Sequence, residues 1–246
     1  MSCPLFSCVM PVKGSRPFMD KALESLRSQG MGDNLEIIIQ DADIEPDEGQ
    51  SDALNKGFAK AKGEWLFWLN ADDVLLPGAL RKVKAAIQSV TRRLDSLSWI
   101  TGNEFFIDKE GKRVGASVGN GWHDWLYRHV VPHVNGPSAF FRRELFEKVG
   151  GFDTSLHICM DWDLWIRFMK AGTRFERIDE FLWAQRRWSG SKTQREISPE
   201  ELTQHQAEIS RMLAKNDFKI TRGGVMLFRL WRLLNGNYLK ELMCGR

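Results

Sequence analysis

The 246 residues, 43% hydrophobic and 27% charged, are enough for one large globular domain, or a domain and a tail, around a sizeable core. A formal net charge of +3 is too mild to argue for nucleic-acid binding, and a solvated surface accounts for it. No basic-then-apolar leader and no apolar run of about 18 residues is seen, and Cys3, Cys8, Cys159 and Cys244 lack metal-ligand spacing, so the chain reads as cytoplasmic with free thiols.

Residues 5–10 read as a first strand, ended by Pro11 and the loop Val12-Lys13-Gly14-Ser15. Pro17 is expected to open a helix that places Phe18, Ala22 and Leu26 on one face, with Gly30 closing it. The β-branched run at residues 35–39 predicts a second strand ending in Gln40-Asp41. After an acidic loop, Ser51 is expected to cap a helix carrying Leu54, Phe58 and Ala61 inward, stopped by Gly63. Trp65-Leu66-Phe67-Trp68-Leu69 then runs without alternation, the habit of a strand buried on both faces of a parallel sheet. It runs straight into Asn70-Ala71-Asp72-Asp73. Strand, helix, strand, helix, strand predicts a right-handed parallel sheet, whose ligands bind beyond the carboxyl ends of the strands. Two adjacent carboxylates there are costly to hold unless a cation shares them, and a hard divalent ion suits oxygen ligands.

A helix after Pro77 turns Leu80, Val83, Ile87 and Val90 inward. Residues 97–101 and 104–107 predict two short strands, and residues 119–125, rich in glycine and aromatics, an exposed loop. A strand at 137–141, a short helix at 143–149, a helix at 160–170 opening on Asp161 and Asp163, and a strand at 181–188 follow. Beyond the loop Ser189-Gly190-Ser191-Lys192-Thr193 comes a polar helix from Pro199 to about Lys215. The tail interleaves Val225, Leu227, Phe228, Leu230, Trp231, Leu233 and Leu234 with Arg229 and Arg232. That amphipathic basic helix fits an anionic membrane surface, or packs on the domain or a second copy with its arginines in water.

These motifs together resemble family 2 glycosyltransferases of the GT-A fold over residues 5–193. The resemblance rests on the first strand with Pro11, the strand ending in Asp41, and the run Gly49-Gln50-Ser51-Asp52-Ala53-Leu54-Asn55-Lys56-Gly57. It continues through Ala61-Lys62-Gly63-Glu64-Trp65, Asn70-Ala71-Asp72-Asp73, Gly150-Gly151-Phe152-Asp153 and Met160-Asp161-Trp162-Asp163-Leu164-Trp165. The enzymes it brings closest are those that build bacterial cell-surface polysaccharides. The implied fold is α/β, a Rossmann-like mixed and mostly parallel sheet flanked by helices. Residues 1–195 would form the catalytic domain, with 1–105 as the nucleotide half and 106–195 as the acceptor half. Residues 196–246 would be a helical extension, at the inner face of the membrane if it touches lipid.

The resemblance also implies roles. Asp41 would accept the imide N–H of the donor's base, which favours a UDP-type sugar nucleotide. Pro11, Val12 and Lys13 would line the nucleotide, with Gln50, Asp52 and Asn55 nearby. Asp73, with Asp72, matches the metal-binding carboxylates, Asn70 replacing the usual first aspartate, and would hold Mn²⁺ or Mg²⁺. Asp161 matches the catalytic base, with Met160 in place of the preceding glutamate, and a helix start is expected to lower its pKa. Arg186, Arg187 and Lys192 bracket a loop able to close over the diphosphate, and Trp188 occupies the place of a frequent histidine. Trp122, His133 and Trp162, with His123, Trp125 and His129 around them, are acceptor candidates, the acceptor being a saccharide or lipid-linked saccharide. Two other readings stay open: a sugar-nucleotide nucleotidyltransferase, for which Pro11-Val12-Lys13-Gly14-Ser15 is a poor triphosphate loop, and a non-catalytic binding subunit.

Overall fold

The computed structural model describes residues 3–91, 97–134, 136–192 and 197–245. The inward side chain expected of Val90, Thr193 of the basic loop and the 195/196 domain boundary lie outside the described residues or side chains.

β1 (Phe6–Val12) lies between β2 (Leu35–Asp41) and β3 (Trp65–Trp68), parallel to both, with α1 (Met19–Arg27) and α2 (Gln50–Lys60) in the crossovers. Beyond β3 the sheet continues through β7 (Ala139–Arg142), β5 (Trp99–Ile107), β8 (Phe175–Arg186) and β4 (Val74–Leu75), while β6 (Arg113–Ser117) pairs with β5. Only β1–β2, β1–β3 and β5–β8 pair in parallel among the described strands; the other four pairings are antiparallel. The sheet is therefore more evenly mixed than expected, with the parallel habit concentrated in the first half.

The strand period of two sorts the apolar side chains onto two buried faces. Val9, Leu66 and Trp68 meet Leu54 and Phe58 of α2 and Leu164, Trp165 and Phe168 of α5 (Met160–Lys170). Phe6, Cys8, Met10, Trp65, Phe67 and Leu69 meet Ala22, Leu23 and Leu26 of α1 and Leu80, Val83 and Ile87 of α3 (Ala79–Thr91). Much of the tryptophan content is core: the rings of Trp68, Trp165 and Trp99 stack in series, with centroids 6.2 and 5.1 Å apart.

Several local expectations are corrected. α1 starts at Met19, two residues after Pro17. Gly49, not Ser51, caps α2, because the Ser51 hydroxyl is turned inward to donate to the Leu156 carbonyl at 2.8 Å. The two short strands near residue 100 are one, β5. Gly102 marks the join: a Cβ there would stand 2.4 Å from Leu182 Cδ1, so glycine lets β5 and β8 approach through a shift in register. β8 begins at Phe175, six residues earlier than expected. The 119–125 segment is only partly exposed, since Gly119 and Asn120 are buried and Trp122 packs edge-on to Phe175.

After α4 (Arg143–Lys148) and α5, the chain closes with α6 (Pro199–Lys215), α7 (Arg222–Leu234) and α8 (Asn237–Cys244). α6 packs on the core: Met212 is buried within it, and Asn216, just past the helix, donates to Asp163 at 2.7 Å. α7 presents Val225, Phe228 and Trp231 to that core. Its arginines divide, Arg229 in solvent as expected and Arg232 buried.

Candidate active site

A cleft of about 930 Å³ opens beyond the carboxyl ends of β1 and β3. Its walls come from the loop after β1, the start of α2, the turn after β3, the start of α5 and the segment after β8. Its depth depends on a close approach: a Cβ on Gly136 would stand 2.0 Å from the Trp68 ring, so glycine lets the 136–138 turn rest on that indole.

The two acids after β3 behave differently. Asp72 faces the cleft and accepts the Trp188 indole N–H at 3.0 Å. Asp73 is 1% exposed, and its two oxygens accept the Arg186 backbone N–H at 2.8 Å and the Asn70 amide at 2.9 Å. Burial first, and then the neighbouring Asp72 charge, push the Asp73 carboxyl well above the usual carboxylate range. A carboxylate under that strain is stabilised by an added cation. Among the described residues no three His, Cys, Asp or Glu side chains converge, so the protein supplies one or two carboxylates rather than a cage. That donor set fits a hard ion that takes its remaining ligands from a diphosphate and water.

Arg186, 2% exposed, binds the Asp72 carbonyl at 2.9 Å and the Asp108 carbonyl at 2.8 Å, and its guanidinium lies 4.4 Å from the Phe18 ring centre. Gln50 bridges the two sides, donating to Asn70 at 2.9 Å and accepting from Lys192 at 3.2 Å. Lys192 also donates to the His157 carbonyl.

Asp161 also lines this cleft, as the second residue of α5. Its carboxylate accepts the Trp162 N–H at 2.8 Å. Burial raises its pKa from 3.8 to about 6, more than the helix-start N–H groups and Lys192 lower it. The expected lowering is thus reversed: desolvation outweighs the helix start. A carboxylate ionised at neutral pH yet basic enough to take a proton is what base catalysis requires. Asp161 is not the cap of α5, a place held by Cys159, and Asp163 is tied in a buried pair with Arg167 at 2.6 Å.

At the far end, Asp41 lies behind Arg16, which spans it with bonds of 2.6 and 2.8 Å and itself lines the cleft. Burial would raise the Asp41 pKa, but Arg16 and the Asp43 N–H hold it below the ordinary value. Pro11, Val12, Lys13, Gln50, Asp72, Asp73, Asp161 and Lys192 all line the one cleft.

The remaining candidates do not reach the wall. Asp52 pairs with Lys56 at 2.8 Å, one turn along α2. Asn55 exchanges two 2.8 Å bonds with the Phe152 backbone, holding the Gly150-Gly151 turn. Arg187 points to the other side of β8, where its guanidinium lies 3.4 Å from the Phe106 ring centre. Trp122 is partly buried against the core, and Trp162, 36% exposed, does not line the cleft. His133 is buried against Ser117 at 2.9 Å, and burial lowers its pKa to about 4. Sequence reasoning missed Arg16, Phe18, His157 and His205, all in the wall. Arg16, three residues past Lys13 in the same loop, could have been found; His205 arrives on α6 through tertiary packing alone.

The profile of the family described as Glycosyl transferase family 2 matches residues 43–150. An uncharacterized glycosyltransferase of Rickettsia felis is 23% identical over 224 residues, 80% of this chain and 36% of the relative. A PGL/p-HBAD biosynthesis glycosyltransferase of Mycobacterium tuberculosis is 26% identical over 201 residues, 68% of this chain and 70% of the relative. The chain thus spans little more than a third of the Rickettsia relative and most of the mycobacterial one. Among solved structures, TarS residues 1–349 of S. aureus with UDP-GlcNAc superposes with a TM-score of 0.62 at 14% identity, covering 85% of this chain and 66% of TarS. The mannosyltransferase PcManGT of Pyrobaculum calidifontis, with GDP-Man and Mn²⁺, gives 0.55 at 14% identity, covering 94% and 80%. These likenesses show the GT-A fold.

Proposed function

We propose that this chain is a family 2 glycosyltransferase whose cleft transfers a sugar from a nucleotide diphosphate sugar to a saccharide or lipid-linked saccharide, with inversion at the anomeric carbon. The observation that carries this reading is that Asp161 and the Asp72–Asp73 pair, more than eighty residues apart in sequence, line one cavity of about 930 Å³.

The nucleotide would lie along Pro11, Val12 and Lys13, its base at the Arg16–Asp41 pair. A uracil offers an imide N–H to a carboxylate and flanking carbonyls to a guanidinium, so that pair suits a UDP-type donor. Asp72 and Asp73 would hold Mn²⁺ or Mg²⁺, a Lewis acid that offsets charge on the departing diphosphate. Lys192, bonded to Gln50 in the cleft lining, would add a cationic contact for the same phosphates. Asp161 takes the proton of the acceptor hydroxyl as its oxygen bonds to the anomeric carbon. The bond from that carbon to the diphosphate breaks in the same displacement, and the nucleoside diphosphate leaves. One base on the acceptor side suffices, and no second nucleophilic carboxylate enters. The same reading puts the enzyme at the inner face of the membrane, where a lipid-linked acceptor would be presented.

A panel of sugar nucleotides incubated with the protein and Mn²⁺ tests this. Free nucleoside diphosphate supports transfer. Pyrophosphate would indicate a nucleotidyltransferase, and binding without turnover a non-catalytic subunit.

A further inference from the structure

The outer surface of the last two helices is unusually apolar. On α7, Met226, Leu227, Leu230, Leu233 and Leu234 are 67, 40, 48, 62 and 76% exposed. On α8, joined to it through Gly236 (φ 69°), Leu239, Leu242 and Met243 are 61, 58 and 70% exposed. The α7 positions recur at i, i+1, i+4, i+7 and i+8, which is one continuous helix face. No helix among the described residues is long and apolar enough to cross a bilayer.

This apolar face is not the frayed end of a loose tail. Arg232 is 5% exposed and donates to the Val118 carbonyl at 2.9 Å and Asn120 at 3.0 Å, while pairing with Glu241 of α8. Glu241 in turn accepts the Val118 N–H at 2.8 Å, and Asn237 reaches the Gly119 carbonyl at 3.1 Å. The polar face of both helices is thereby spent on locking them to the 118–120 segment, which leaves the leucines outward.

Charge selects the occupant. On the helical wheel Arg222 and Arg229 flank the apolar stripe on one side. With Ile220, Val225 and Met226 they line a shallow depression of about 330 Å³, and among the described residues neither arginine has a carboxylate partner. Of the five basic residues from Phe218 to Gly245, Arg232 is paired with Glu241 and Lys240 with Asp179, which leaves Lys219, Arg222 and Arg229 without a carboxylate partner among the described residues. A second copy of this face would bring like charges together, whereas an anionic bilayer satisfies arginines and leucines at once.

We propose that α7 and α8 form a platform seating the protein on an anionic lipid surface, its leucines among the acyl chains and lipid phosphates between Arg222 and Arg229. The proposal rests on the reading that the tail meets the membrane, and adds which side chains do so and which headgroup charge they take. Its test reads vesicle binding alone, so it fails separately from sugar transfer.

The full chain is floated with vesicles of phosphatidylcholine, alone or mixed with phosphatidylglycerol. It is expected to float with the mixed vesicles, less with the neutral ones, and less as salt rises. Leu230→Asp with Leu233→Asp is expected to abolish flotation. Arg222→Ala with Arg229→Ala is expected to weaken binding to the mixed vesicles roughly thirtyfold, about fivefold for each cation, and to leave neutral vesicles unaffected. The four side chains are outward, and an unchanged near-ultraviolet circular dichroism spectrum confirms that both variants fold. No flotation of the unaltered chain, or undiminished flotation of either variant, overturns the proposal. So does a dimer in sedimentation that Leu230→Asp with Leu233→Asp dissociates, which would give the face to a second copy.

Discussion

Replacing Asp161 by asparagine should stabilise the protein while disabling it. Burial raises the carboxyl from 3.8 to about 6, so the native state holds this proton more tightly than the unfolded chain does. The sign follows: the group's contribution is fully present below about pH 4 and is lost as pH rises through about 6. With both states ionised the penalty reaches about 3 kcal/mol, an upper value because the cleft admits water to one side of the carboxylate. The substituted amide would keep an oxygen for the Trp162 N–H, now at 2.8 Å, and carry no charge to desolvate. Thermal melts of both proteins across pH give the difference directly, since every other titrating group cancels. The variant is expected to gain at most about 1 kcal/mol near pH 4.5 and at most about 3 kcal/mol near pH 8, the gain rising with pH. For a chain of this size the latter raises Tm by up to roughly 6 °C. An equal or lower Tm for Asp161→Asn at pH 8, or a gap that stays flat with pH, would refute the assignment of a strained base.

Asp72→Asn and Asp73→Asn should each weaken the Mn²⁺-dependent part of donor binding at least tenfold by calorimetry with and without the ion; unchanged affinity in both would put the cation elsewhere. Glu208 of α6 accepts the His157, Ile158 and Cys159 N–H groups at 3.0, 2.6 and 3.1 Å, fixing the turn that leads into Asp161. Glu208→Ala should cost about 1–3 kcal/mol and lower kcat with little change in donor KM, a split read from steady-state kinetics beside a melt. Asn55→Ala should lower Tm by the loss of its two bonds to Phe152 and leave donor affinity intact. Weaker donor binding at an unchanged Tm would return Asn55 to the nucleotide site.

The parallel half of the fold was legible because its evidence is local. Leu66 and Trp68 on one face and Trp65, Phe67 and Leu69 on the other make β3 a buried strand whatever its neighbours. Asp72, Asp73 and Asp161 stood out for the same reason, as acids at strand and helix ends. What escaped depends on register and packing. Arg186 and Arg187 are adjacent in sequence at the end of β8 and therefore face opposite sides; only the pairing of β8 with β4 and β5 decides that Arg186 meets the acids and Arg187 meets Phe106. The aromatic and histidine cluster near residue 125 suggested an open recognition loop, yet Trp122 and His133 are drawn inward against Phe175 and Ser117. The pKa of Asp161 was misjudged because helix position is written in the sequence and burial is not. Asn55 and Asp52 were assigned to the nucleotide with their motif, while the structure spends both on holding local backbone and side chains.

The most direct measurement is to follow donor binding and nucleoside diphosphate release side by side in Asp161→Asn with Mn²⁺ present. The geometry predicts a donor Kd close to that of the unaltered protein and release slowed by about 10²–10⁴-fold, the usual share of a general base. Release at a substantial fraction of the original rate would contradict it, because the proton of the acceptor hydroxyl would then be leaving by another route.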